Sequence, residues 1–231
     1  DASDLNAVCN VDAEAARVAA AAADVSFPYG GVPLAVKELL AVDGWPASLG
    51  SLPLADEVFD ADGISVERLK AAGAIAAVQT TSSEFGATNQ TTTKIHGATR
   101  NPWNLERTTG GSSGGSAAGV AGGLFALATA SDGGGSIRIP AGFCGLIGLK
   151  STFGRIPRGP GSILGNATAV EGTISRSTRD AARYLDVTNG FDPRDPRGLP
   201  RVEGYEAGLG SCAGEIRSLR VAVVPDLSCA V

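Results

Sequence analysis

No methionine occurs in this sequence, not even at position 1. A native start is therefore missing, and the expectation is a processed, trimmed or partial chain. No basic segment followed by an apolar run opens it, so no signal peptide is visible. Histidine is nearly absent too: His96 stands alone, in the polar stretch TKIHGAT. No Ser-His-Asp pattern surrounds it, and it reads as a surface or structural residue. The cysteines are Cys9, Cys144, Cys212 and Cys229. None forms a CxxC pair or has metal-ligand spacing with His96, so no metal site is expected. They read as reduced thiols of a cytoplasmic protein, and a disulfide between Cys212 and Cys229 has no support. Excess basic charge is also lacking. The net charge is −5 and the pI about 4.9, which argues against a nucleic-acid-binding surface of the usual basic kind. The central run of residues 112–131 carries no charge and is dense in Gly and Ser. It reads as a buried helix with its flanks, not a membrane span.

What the chain does have is a globular composition, 43% hydrophobic and 19% charged over 231 residues. That is enough for one sizeable core. Many of its 32 glycines fall in residues 110–158. Two glycine-serine clusters stand there, GGSSGGS from Gly110 and DGGGSIRIP from Asp132. Glycines this dense mark positive φ or close backbone approach. Ser136, directly after three glycines, suggests a nucleophile beside free backbone N–H groups, the anatomy of an oxyanion hole. A flexible linker is the bland alternative, but an apolar run follows the first cluster at once. A phosphate loop is disfavoured because no lysine follows in Walker spacing.

Along the chain, residues 12–23 are strong helix formers. Residues 32–36 form a short apolar run that fits a buried strand and is closed by Lys37. Burial there would lower the lysine pKa and leave an amine able to take a proton from a hydroxyl. Residues 42–53 are loop. Residues 64–72 have helical spacing, with Gly73 as the residue after the cap, and 74–80 read as a strand. The long polar stretch 82–107 is expected to wrap a site rim. Residues 117–130 read as a helix starting after Ser116, itself a helix N-cap or packing serine, and 141–150 as a buried segment including a strand. Residues 159–165 and 191–200 are loops. A helix starts at Thr178, its expected N-cap, and 219–224 read as a strand. Asp132 and Arg138 read as a structural ion pair shaping the loop around Ser136. The pattern predicts an α/β fold, a mixed β-sheet flanked by helices on both faces.

GGSSGGSAAGVAGG followed by SDGGGSIRIPAGFCGLIGLKSTFGR resembles the signature of the amidase signature family. The resemblance continues upstream in GVPLAVKE and TRNPWN, downstream in GTISRSTRD, and covers about residues 28–231. It implies a large mixed sheet surrounded by helices in a domain about twice this long. Only the N-terminal half to two-thirds would then be present, with 1–27 a helical lead-in and 28–231 the catalytic core. It also implies a Ser-cisSer-Lys triad. Ser136 is the nucleophile, Ser112 the bridging serine in a non-proline cis peptide, and Lys37 the base. The oxyanion hole falls at Gly133, Gly134, Gly135 and Ser136, and Ser113 hydrogen-bonds across the site. Many family members carry threonine or isoleucine at the Gly133 position, so this loop is expected to be more flexible here. No metal or cofactor is implied. The expected activity is hydrolysis of a linear amide, with a small-molecule amide as partner and no nucleic acid or membrane. A further partner would be a second copy or the remainder of the amidase chain. The alternatives are the glutaminase component of a tRNA-dependent amidotransferase, hydrolysis of urea-like substrates, and a catalytically inactive fragment.

Overall fold

The computed structural model describes residues 2–159 and 167–223. In chain order the elements begin α1 (Ala2–Leu5), β1 (Val8–Val11), α2 (Ala13–Ala21), β2 (Pro33–Lys37), α3 (Ile64–Ala71) and β3 (Ile75–Thr80). Two small hairpins follow, β4 (Thr92–Thr93) with β5 (Gly97–Ala98), and β6 (Arg100–Asn101) with β7 (Asn104–Thr108). Then come α4 (Gly114–Ala121), β8 (Leu127–Asp132), α5 (Arg138–Cys144), β9 (Ile147–Lys150), β10 (Val170–Ser175), α6 (Thr178–Thr188) and α7 (Ala213–Ser218).

Six strands form one mixed sheet in the order β1-β3-β2-β8-β10-β9. β2 runs parallel to both β3 and β8, and the other pairings are antiparallel. Successive residues of a strand face opposite sides, and β2 shows the consequence. Leu34 and Val36 join a core with Val66 and Leu69 of α3 and Tyr184 of α6. Ala35 joins Val120 of α4 and Ala128 of β8. A third cluster joins Ala117 of α4 to Ala141 of α5. Helices therefore cover both faces, as expected. Close packing of α4 depends on small residues: a Cβ on Gly115 would stand 2.4 Å from the Thr81 hydroxyl.

Several local expectations shift. The lead-in at 1–27 is not only helical. β1 lies within it and pairs with β3, so the lead-in is part of the same sheet. The helix expected over 117–130 begins earlier, at Gly114, and stops at Ala121. Gly122 and Gly123 turn the chain, with Gly123 at φ +77. The rest of the run becomes β8, buried between β2 and β10. A strand covered on both faces is apolar throughout, so periodicity does not separate it from a buried helix. The cap of α6 is Ser177, not Thr178: Ser177 is extended and its hydroxyl accepts from the Asp180 N–H. The described part of the 219–224 strand, residues 219–223, carries no strand pairing, and Val224 lies outside the described residues. The 159–165 loop also lies outside them, apart from Gly159, as does Cys229. Cys9, Cys144 and Cys212 are free thiols.

Candidate active site

β2 is a central strand, and Lys37 closes it. Its side chain is fully buried. The alternation that sends Ala35 to α4 brings Lys37 towards the loop that starts α4. There its Nζ donates to Ser112 Oγ at 2.8 Å and to Ser131 Oγ at 3.0 Å. Its backbone N–H is held by Thr129 Oγ1 at 2.9 Å. No salt bridge forms to Lys37 among the described residues. Burial pushes its amine down to about 7, while the Glu38 and Asp132 carboxylates pull the other way. Loss of hydration disfavours the charged form, and hydroxyls repay only part of that loss.

The Gly111–Ser112 peptide is cis, and Ser112 is buried. Its carbonyl accepts from the Ser83 N–H at 3.2 Å. Ser136 sits at the end of the second glycine cluster, and with Ser112, Ser131 and Gly133 it lines a cavity of about 590 Å³. Leu39, Leu49, Phe59 and Phe85 give that cavity an apolar wall.

Asp132 shapes the loop between them. Its carboxylate accepts from the N–H groups of Gly135, Ile137 and Arg138 and from the Arg138 guanidinium at 2.9 and 3.0 Å. Burial would raise this carboxyl, but the Arg138 side chain and these N–H groups outweigh it and hold it at about 2. The ion pair read from the sequence is thus present. One consequence was not legible: the Gly135 N–H is committed to Asp132 Oδ1 at 2.7 Å. Gly135 therefore leaves the expected donor set. Gly135 has a different duty, since it holds φ +122 and a Cβ there would stand 2.6 Å from Ile139 Cδ1.

Ser113 is fully buried, and its hydroxyl bonds the Ser131 carbonyl and N–H at 3.3 and 3.4 Å. Its N–H donates to the Ser136 carbonyl at 3.2 Å. It ties the two serine clusters together and does not line the cavity. Ser116 is a packing serine inside α4, bonded to Thr80 Oγ1 and the Thr129 carbonyl. Two participants escaped sequence reading. Ser131 is the second hydroxyl on Lys37, and its only sequence signal was a position beside Asp132. Of the two readings of His96, surface or structural, the structure shows the second, and its partner was not legible: its Nε2 lies 3.0 Å from Glu38 Oε2, and Glu38 is buried.

A buried lysine resting on two serine hydroxyls, beside an apolar-walled cavity, places the chain among α/β proteins with a serine-lysine site. The family follows: the Amidase family matches over residues 2–231, and the chain belongs to it. It is similar to the A component of the glutamyl-tRNA(Gln) amidotransferase of Bordetella avium (strain 197N), 40% identical over 87% of this chain and 41% of that protein. It is as similar to an acylamidase of Rhodococcus erythropolis, 40% identical over 87% of this chain and 42% of the relative. Among solved structures, a bacterial aryl acylamidase of the amidase signature family superposes with a TM-score of 0.82 at 35% identity. That match covers 90% of this chain and 45% of the other. The chain thus spans less than half the length of these relatives.

Proposed function

We propose that this chain carries the catalytic core of an amidase that hydrolyses a linear carboxylic amide through an acyl-enzyme. The observation that supports it most is the 2.8 Å hydrogen bond between the buried Lys37 amine and Ser112 Oγ, beside the cavity that Ser136 lines. Ser136 Oγ attacks the amide carbonyl carbon. Its proton passes to Ser112 as Ser112 gives its own to the neutral Lys37 amine. The N–H groups of Gly133, Gly134 and Ser136 receive the developing oxyanion. Collapse breaks the C–N bond, and the lysine proton returns through Ser112 to the leaving nitrogen. Water then cleaves the Ser136 ester by the same relay, releasing carboxylate and regenerating the serine. The apolar wall of Leu39, Phe59 and Phe85 favours a substrate with an apolar group next to the amide.

Fluorophosphonate labelling with intact-mass readout and peptide mapping tests this. The expected result is one adduct, on Ser136, lost in Lys37→Ala. No adduct on a folded chain would overturn the reading and leave the inactive-fragment alternative. A second reading is supported by the amidotransferase relative at 40% identity: a glutaminase that feeds ammonia to partner proteins. Ammonia release from glutamine, compared with amine release from an aryl amide, separates the two.

A further inference from the structure

On the face of β2 away from Lys37, three segments distant in sequence converge. Cys9 comes from β1, Glu38 directly follows β2, and His96 comes from the turn between β4 and β5. Their ligand atoms, one thiol sulfur, one carboxylate oxygen and one imidazole nitrogen, all lie within 4.8 Å of one another. We propose that Cys9, Glu38 and His96 form a binding site for a divalent transition metal of the zinc class, separate from the serine-lysine site.

The donor set suits that ion. Zinc takes thiolate, imidazole and carboxylate in a tetrahedron, with bonds that set neighbouring ligand atoms roughly 3.3–3.6 Å apart. His96 Nε2 and Glu38 Oε2 already stand at 3.0 Å, and the thiol, within 4.8 Å of both, needs a shift of at most roughly 1.5 Å to reach tetrahedral spacing. The surroundings hold the ligands in place, as outer partners do in metal sites. The Ser82 N–H donates to Glu38 Oε1, which leaves Oε2 to face the histidine. The Ser48 hydroxyl donates to Oε2 at 3.3 Å. A fourth donor is at hand. Gln79 is buried, its Nε2 donates to the Pro46 carbonyl at 2.8 Å, and its Oε1 therefore points to Cys9 Sγ, 3.9 Å away. On binding, the Cys9 thiol releases its proton to solvent and the thiolate sulfur bonds the metal. The ion inserts between His96 and Glu38 in place of their hydrogen bond. It would clip an edge strand and a hairpin to the strand that carries Lys37.

Cobalt(II) is the probe, added to the whole chain with Cys212 and Cys229 changed to serine. The expected result is one bound ion per chain, with thiolate-to-cobalt charge-transfer absorption that Cys9→Ser removes. His96→Gln should weaken binding at least tenfold, and zinc should displace the cobalt and raise Tm. Circular dichroism identifies any variant that fails to fold. In that case labelling of Cys9 by a thiol reagent, blocked by zinc in the parent chain, reads the same site. Absence of stoichiometric binding would overturn the proposal and leave a structural His96–Glu38 pair. Equal binding by parent and Cys9→Ser, an adventitious ion only, would overturn it too.

Discussion

Lys37 and Glu38 are adjacent in sequence, equally buried, and opposite in treatment. Lys37 is given two serine hydroxyls and no salt bridge among the described residues. Glu38 is given a backbone N–H, a hydroxyl and an imidazole. Burial without an opposite charge in contact drives the lysine towards its neutral form. The Lys37 face thus holds a buried amine on hydroxyls, the base of the proposed mechanism, and the Glu38 face ties three segments together. One strand separates them because neighbouring side chains point to opposite sides.

The largest expected effect tests the Lys37 face. Ser136→Ala should lower kcat/KM for an aryl amide at least about 10³-fold, and Lys37→Ala nearly as much, because members of a catalytic unit act non-additively. Near-normal turnover by a folded Ser136→Ala chain would break the comparison at once. The rate should also follow the lysine. With its pKa near 7, the neutral base accumulates as pH rises, so kcat/KM should climb through about pH 7 and then level. A profile flat from pH 5 to 9 would contradict a lysine base.

The stability pair comes next. Glu38→Ala strands the Ser82 N–H and the Ser48 hydroxyl and should cost about 1–3 kcal/mol in urea unfolding. Lys37→Met should do the reverse and stabilise at pH 6, where the buried amine still carries a charge stripped of hydration. The sign follows from linkage. The folded lysine loses its proton near 7 and the unfolded one near 10.5. Between them the unfolded chain binds the extra proton, so wild-type stability rises with pH and the methionine advantage shrinks. If both substitutions destabilise equally at every pH, the two faces do not differ as argued.

Asp132 gives an acid-side check of smaller size. Its carboxyl is held at about 2, so its stabilisation is present above about pH 4 and lost as pH falls through 2. Asp132→Asn should therefore flatten that part of the acid unfolding curve. The smallest effect belongs to the glycines. Gly135→Ala should cost about 1–3 kcal/mol, from positive φ and contact with Ile139. Gly133→Ala, whose Cβ meets only Ala169 at 3.9 Å or more, should stay within about 0.5 kcal/mol. Equal costs would mean that the loop is not held as described.

Much of the fold was legible where the signal is local. The run closed by Lys37, the helix expected at 64–72 and found at 64–71 with Ala72 as its cap, and the expectation of a mixed sheet between two helical layers all agree with the structure. Boundaries failed where the code is ambiguous. Residues 117–130 mix small and larger apolar residues with no charge, which suits a packed helix and a central strand equally well. β1 was missed because VCNV is short and half-buried, and its partner β3 lies far along the chain. At the site, the glycine-serine clusters and Lys37 stood out by residue type and order. Ser131 did not, since one hydroxyl among many carries no signal.

Motifs in a fixed order were enough for the resemblance to the family, which in turn pointed to Lys37 and the serines, and local backbone preference was enough for the strand that ends in Lys37. Three-dimensional packing was needed for the rest: that the Gly135 N–H is committed to Asp132, that Ser113 braces the loop without lining the cavity, and that the lone histidine meets Glu38 and Cys9. Glu38 and His96 are 58 positions apart. Their meeting depends on how sheet register and hairpin packing close the chain on itself, and neither composition nor spacing encodes that distance.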